Sequence, residues 1–183
     1  SSNIAGVTVY QADMTKTLTS GSEITQITSF NVGNSGITLE GAKGVKVANN
    51  ISRAAGKVHT ISDGLIFVHG AHQNTVRNNI FHSNSSCGID LIPSIKNSNN
   101  LIESNQIYNN GYGSTSSQEA GICIRSGDSN TIRNNTIYKN KNDGITVMSG
   151  NQSNVFTQNA IYQNGNIGID LGTGSNSLGD CIT

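Results

Sequence analysis

Three features of the sequence predict an all-β chain wound as a right-handed parallel β-helix. They are a recurring glycine-headed strand, an asparagine-spaced apolar template between its copies, and a composition rich in turn residues. The strand occurs six times, as Gly36-Ile-Thr-Leu39, Gly64-Leu-Ile-Phe67, Gly88-Ile-Asp-Leu91, Gly121-Ile-Cys-Ile124, Gly144-Ile-Thr-Val147 and Gly168-Ile-Asp-Leu171. Successive glycines lie 28, 24, 33, 23 and 24 residues apart, which reads as a coil of 23 or 24 residues with insertions. The longest insertion carries the low-complexity loop Gly111-Tyr-Gly-Ser-Thr-Ser-Ser117.

The second template is Asn-x-apolar-x-x-Asn-x-apolar. It begins at Asn74, Asn100, Asn130 and Asn154, with second asparagines at Asn79, Asn105, Asn135 and Asn159. Val45 to Ile51 is a weaker copy, and residues 1–35 read as degenerate first coils of a single domain spanning 1–183. Alternation along each glycine-headed strand places Ile37, Leu65, Ile89, Ile122, Ile145 and Ile169 in one inward row. Leu39, Phe67, Leu91, Ile124, Val147 and Leu171 form a second. No coil buries these faces alone, so neighbouring coils must supply the other surface. An inward asparagine at each turn can pass amide hydrogen bonds to the next coil, about 4.8 Å away, and it tolerates the left-handed geometry of a tight corner. Asn135 is expected in such a ladder and Asn151 outside it.

The composition agrees. Over 183 residues, 34% are hydrophobic and 12% charged, Trp is absent, Pro occurs once at Pro93 and Gly 21 times, too little apolar mass for a bulky spherical core. Zero formal net charge supplies no basic surface for nucleic acid. No apolar run approaches the roughly 20 residues that would cross a bilayer, so membrane insertion is not expected. The chain starts at Ser1, which fits a mature or excised product, and a secreted or cell-surface location is expected. Cys87, Cys123 and Cys181 lack C-x-x-C spacing; their odd number leaves at least one free or intermolecular thiol, with buried structural thiols expected.

These repeats resemble the parallel β-helix coils of the pectin-lyase-like superfamily, which includes pectate lyases, polygalacturonases, mannuronan C5-epimerases, phage tailspikes and bacterial adhesins. The resemblance covers residues 22–176. It implies a ligand surface along the outer face of a parallel sheet. Gly88-Ile-Asp90 is similar to the Gly-x-Asp half of the epimerase motif without its Pro-His, and Arg125 is similar to the lyase arginine. The coil from Ile161 to Gly172 resembles those of large bacterial surface proteins.

Outward positions of the glycine-headed strands read Thr38, Ile66, Asp90, Cys123, Thr146 and Asp170, with Arg125 two residues beyond Cys123. If coils stack in register, Asp90 and Arg125 are neighbours. A carboxylate beside a guanidinium can bind a uronate and move its C5 proton, with Asp170 on the same face; otherwise the two form an exposed ion pair worth under about 1 kcal/mol. His82, Tyr108, Tyr138 and Tyr162 share one outward position. They offer rings to a sugar or form a ladder shielding the sheet. His59, His69, His72 and His82 cluster in sequence, but no metal or other cofactor is assigned. Four glycosylation-type triplets, at Asn50, Asn84, Asn134 and Asn151, follow from the Asn and Ser content.

The leading expectation is a secreted or surface β-helix that binds polysaccharide or a cell-surface glycan, or acts as an extracellular scaffold or adhesin. The alternative is a lyase or uronate C5-epimerase working through Asp90, Arg125 and Asp170. No cap is recognisable at either end, so a larger parent chain, a side-by-side homo-oligomer or end-to-end stacking is expected.

Overall fold

The computed structural model describes residues 6–10, 21–56, 62–116 and 119–172. Their ordered elements are short β-strands, each from two to four residues long, in three parallel sheets of seven, six and six strands. Each of the first six coils contributes one strand to each sheet in turn, and Ile169–Asp170 adds the seventh strand of the first sheet. One coil, for example, runs through Leu65–Val68, Thr75–Arg77 and Ile80–His82 before the next begins at Ile89–Leu91. Among the described residues no helix is long and apolar enough to cross a membrane.

The register follows the glycine-headed repeat residue for residue. Ile37 pairs with Leu65, Leu65 with Ile89, Ile89 with Ile122, Ile122 with Ile145 and Ile145 with Ile169. Both expected inward rows are buried from Ile37 to Val147. At the last coil Ile169 is only partly covered and Leu171 is 40% exposed, so the rows stop short of the expected Leu171. The other two sheets supply the facing walls through Val76, Ile102 and Ile132 and through Phe81, Ile107 and Ile137, all fully buried. Glycine heads the strands from Gly36 to Gly144 because the wall leaves no space for a side chain, whereas a Cβ on Gly168 would meet nothing nearer than 3.7 Å. A Cβ on Gly88 would come 2.5 Å from Ile107 Cγ2 and 2.7 Å from the Gly121 carbonyl oxygen.

The described residues before position 36 join the same sheets. Val7–Tyr10 pairs with Ile37–Glu40, Glu23–Thr25 with Lys46–Ala48, and Thr28–Phe30 with Ile51–Arg53. Their degeneracy is visible inside, where Ser29 and Ser52 occupy inward positions that later coils fill with Phe81 and Ile107.

Three asparagine ladders run along the corners. One is Asn74, Asn100, Asn130 and Asn154; a second is Asn50, Asn79, Asn105, Asn135 and Asn159. The third, Asn84, Asn110, Asn140 and Asn164, is absent from the sequence template, although a constant five-residue step from the second ladder marks it. Asn105 shows the pattern. Its Nδ2 donates to the Asn135 Oδ1 and the Val76 carbonyl, both at 3.0 Å, while its Oδ1 accepts from the backbone and side-chain amides of Asn79. Asn50 and Asn84 are engaged in the same way, which leaves neither amide free as a glycan acceptor.

Asn151 stands outside the ladders, as expected, but it is not idle. Its Nδ2 donates to the Ile124, Arg125 and Met148 carbonyls and its Oδ1 accepts from Gly127, so it fastens a loop between coils without joining a ladder. Asn135→Ala should therefore cost about 3 kcal/mol, from two or more buried groups left unpaired, and the half-buried Asn151→Ala about 1–2 kcal/mol. Urea unfolding measures both, and equal losses would contradict the special standing of the ladder.

Candidate functional site

The outer side of the glycine-headed sheet differs from the open face expected of it. Asp90, Cys123, Thr146 and Asp170 are all buried. The cover comes partly from the long insertion, whose end brings Glu119 and Ala120 over the sheet; Ala120 packs with Cys87 and Cys123 in a small second apolar cluster. Cys87 and Cys123 are joined in a disulfide. The pairing leaves Cys181 as the odd cysteine, and it lies outside the described residues. Closing a separation of 36 residues, the bond removes loop entropy worth about 4 kcal/mol from the unfolded chain.

Asp90 and Arg125 meet as the register requires, because Asp90 pairs with Cys123. Arg125 Nε donates to Asp90 Oδ2 at 2.9 Å and to Oδ1 at 3.2 Å, and its Nη2 donates to Glu119 Oε2 at 3.0 Å. Side-chain exposures of 14% for Arg125, 5% for Asp90 and 3% for Glu119 make this an enclosed triad, not the exposed pair that the strand pattern also allowed. Ser86 Oγ donates to Glu119 Oε2, and Asp63 adds a third carboxyl, its Oδ1 accepting from the Cys87 amide at 2.9 Å.

One guanidinium faces three carboxyls, and burial decides the protonation. Burial raises Asp90 to about 7 against the opposing pull of Arg125, and burial followed by the charge of Asp90 pushes Asp63 well above the ordinary carboxylate range. Arg125 is pulled down by burial, but Asp90 and Glu119 outweigh that and raise it. Asp63 and Glu119 escaped the sequence reading. Asp63 stands directly before its strand glycine, as Asp143 does before Gly144, and both accept an amide from the next coil; that shared position was the available signal.

Asp170 does not join the triad. The register runs from Asp90 through Cys123 and Thr146 to Asp170, three coil steps or about 14 Å along the axis. Asp170 instead accepts the Gly172 amide at 2.8 Å and adds to the burial that raises Asp143.

The aromatic residues form the outward column that the repeat implied. Ring centroids are 4.8 Å apart for His82 and Tyr108, 4.9 Å for Tyr108 and Tyr138, and 5.2 Å for Tyr138 and Tyr162, with nearly parallel planes. Arg53 extends the column, covering the Phe30 ring at 4.1 Å, and its charge, after burial, lowers His82. At these spacings the inner ring faces cover one another and no sugar enters between them.

Among the described residues the histidines do not converge. His69 Nδ1 lies 3.0 Å from Glu40 Oε1, His72 Nδ1 lies 2.8 Å from the Gly70 carbonyl, His82 sits in the ring column, and His59 is outside the described residues. Among the described residues two groups bring possible ligand atoms within 4.8 Å of one another, Cys87 with Glu119 and Cys123, and Asp63 with Cys87 and Asp90. In both, the sulfur is bonded in the disulfide and is no thiolate donor.

Native Asp90 keeps its proton up to about 7, whereas an unfolded aspartate releases it at about 4. Over that interval the native state binds more protons and loses stability as pH rises. Tm should fall between pH of about 4 and about 7. Asp63→Asn, which keeps the acceptor for Cys87 while removing one titrating carboxyl, should flatten the slope. A calorimetric series with the same slope in both proteins would contradict the assignment.

No curated protein matches the chain. Among solved structures it is similar to the A-modules of two mannuronan C-5 epimerases of Azotobacter vinelandii, AlgE4 and AlgE6. Both give a TM-score of 0.68, at 22% and 21% identity, over 78% of this chain. The match takes in 36% and 35% of those modules, so the chain spans about a third of their length, and the likeness is one of fold. The right handed beta helix region family matches residues 1–120 and 57–183, and the chain belongs to that family.

Proposed function

We propose that the chain is an extracellular β-helix that binds polysaccharide without turning it over. The observation that carries this reading is the enclosure of Asp90, Arg125 and Glu119: a substrate proton cannot reach a base whose side chain is 5% exposed and whose two oxygens both accept from Arg125. The Cys87–Cys123 disulfide favours an oxidising compartment, which fits a secreted or cell-surface location. The fold likeness to modules named for mannuronan favours a polysaccharide partner.

A second reading, a lyase or uronate C5-epimerase, is favoured by Asp90 itself, since a carboxyl at about 7 beside a guanidinium suits proton transfer near neutrality. Incubation with alginate, pectate and neutral polysaccharides separates the two. Binding should occur without new unsaturated ends and without proton exchange at C5, and Asp90→Asn should bind as the wild type does. Turnover that disappears in Asp90→Asn would establish the enzyme instead.

A further inference from the structure

The repeat leaves one irregularity on the corner that leads from the third sheet back to the first. In successive coils that corner position is held by Ala54, Ser83, Asn109, Lys139 and Gln163, all with positive φ. Of the seventeen non-glycine residues with positive φ among those described, only Ala54 has an apolar side chain. Left-handed geometry costs alanine roughly 1 kcal/mol, without the local hydrogen bond that asparagine gains there. The small residue, followed by Ala55 and Gly56, opens a cleft of about 400 Å³ toward Ser83, Ser85 and Asn109.

Tyr112 forms the rim of this cleft and is 65% exposed. Its position is fixed by the glycines on either side. Gly111 donates its amide to the Asn84 carbonyl and Gly113 to the Ser85 carbonyl, each at 3.1 Å, so the loop is tied to the floor of the cleft. Only glycine permits the second contact, because a Cβ on Gly113 would come 2.5 Å from Ser85 Cβ. The Tyr112 hydroxyl donates to the Lys139 carbonyl at 3.4 Å, and Lys141 Nζ donates to the Ser114 carbonyl behind it. The low-complexity insertion thus holds a ring in place before any ligand arrives, which removes an ordering cost from binding.

We propose that this cleft binds neutral pyranose units of a polysaccharide, with Tyr112 as the stacking face; the proposal rests on the polysaccharide-binding reading above. The volume falls in the range of small-ligand sites. Among the described residues no charged side chain lines it, and its alanine and glycine surfaces suit the apolar face of a sugar while Ser83 and Asn109 offer hydroxyl and amide partners. Among the described residues of the lining a uronate would lose hydration without gaining a cation. The stacked column from His82 to Tyr162 has its inner ring faces occupied, so Tyr112 takes the role first sought there.

The test titrates the full chain with neutral gluco- and manno-oligosaccharides and with alginate and pectate oligomers. Calorimetry gives Kd, and methyl NMR follows Ala54 and Ala55. A neutral oligomer should bind and move both methyl signals. Tyr112→Ala and Ala54→Gln should each weaken it about tenfold, the loss of one stacking contact. Gln163 already holds the same corner, so Ala54→Gln should fill the cleft with an unchanged melting curve, and Tyr108→Ala should bind as wild type. Binding that persists in both variants would overturn the cleft and leave the polysaccharide-binding reading intact. Tyr112-dependent binding of uronates alone would overturn the neutral class. Failure of every oligomer to bind the wild type would overturn the cleft and the reading together.

Discussion

The amide-to-amide hydrogen bond passed along each corner is the constraint on which the rest depends. A β-helix core of this width is one side chain deep per strand, and apolar stacking alone tolerates sliding between coils. An asparagine that must satisfy its own Nδ2 and Oδ1 on two neighbouring coils tolerates none, because a slipped register leaves buried amides unpaired at about 1–3 kcal/mol each. Three ladders at three corners pin the coils between Val45 and Asn164 like a triangle. Once inward residues are locked, every outward residue is locked too, so like chemistry stacks on like.

That locking makes the outer features intelligible together. The ring column exists because one coil step brings ring centroids 4.8–5.2 Å apart, close to stacking contact. Glu103 and Arg133 face each other across one step, as do Glu23 and Lys46. Asp90 meets Arg125 for the same reason, but the insertion ending at Glu119 closes over them, and burial turns a surface pair into a proton-holding cluster. The rigid solenoid supplies position, and the insertions decide which positions solvent and ligand can reach.

Periodicity was therefore a sufficient guide to whatever repeats. The inward rows, two of the three ladders, the outward ring column and the adjacency of Asp90 and Arg125 all follow from spacing within a coil. The third ladder was equally legible but falls beyond the strand template, at a corner where no apolar alternation draws attention. What spacing does not encode is the path of irregular segments. The covering of Asp90 depends on how the insertion folds back, and the Cys87–Cys123 bond joins a residue before one strand to the middle of the next. The cleft at Tyr112 arises where the repeat is broken, by an alanine at a polar corner and a tyrosine between two glycines.

Hydrogen exchange at the ladder tests this account most directly, read by NMR on the backbone amides of Asn79, Asn105 and Asn135 and on their side-chain Nδ2 protons. Each backbone amide donates to the next Oδ1 in the buried corner. These protons should exchange only through global unfolding, with a common free energy equal to that from urea denaturation. Exchange by local opening, as fast as at the exposed side-chain amide of Asn134, would show that the coils slide and breathe independently and would contradict the ladder as the governing constraint.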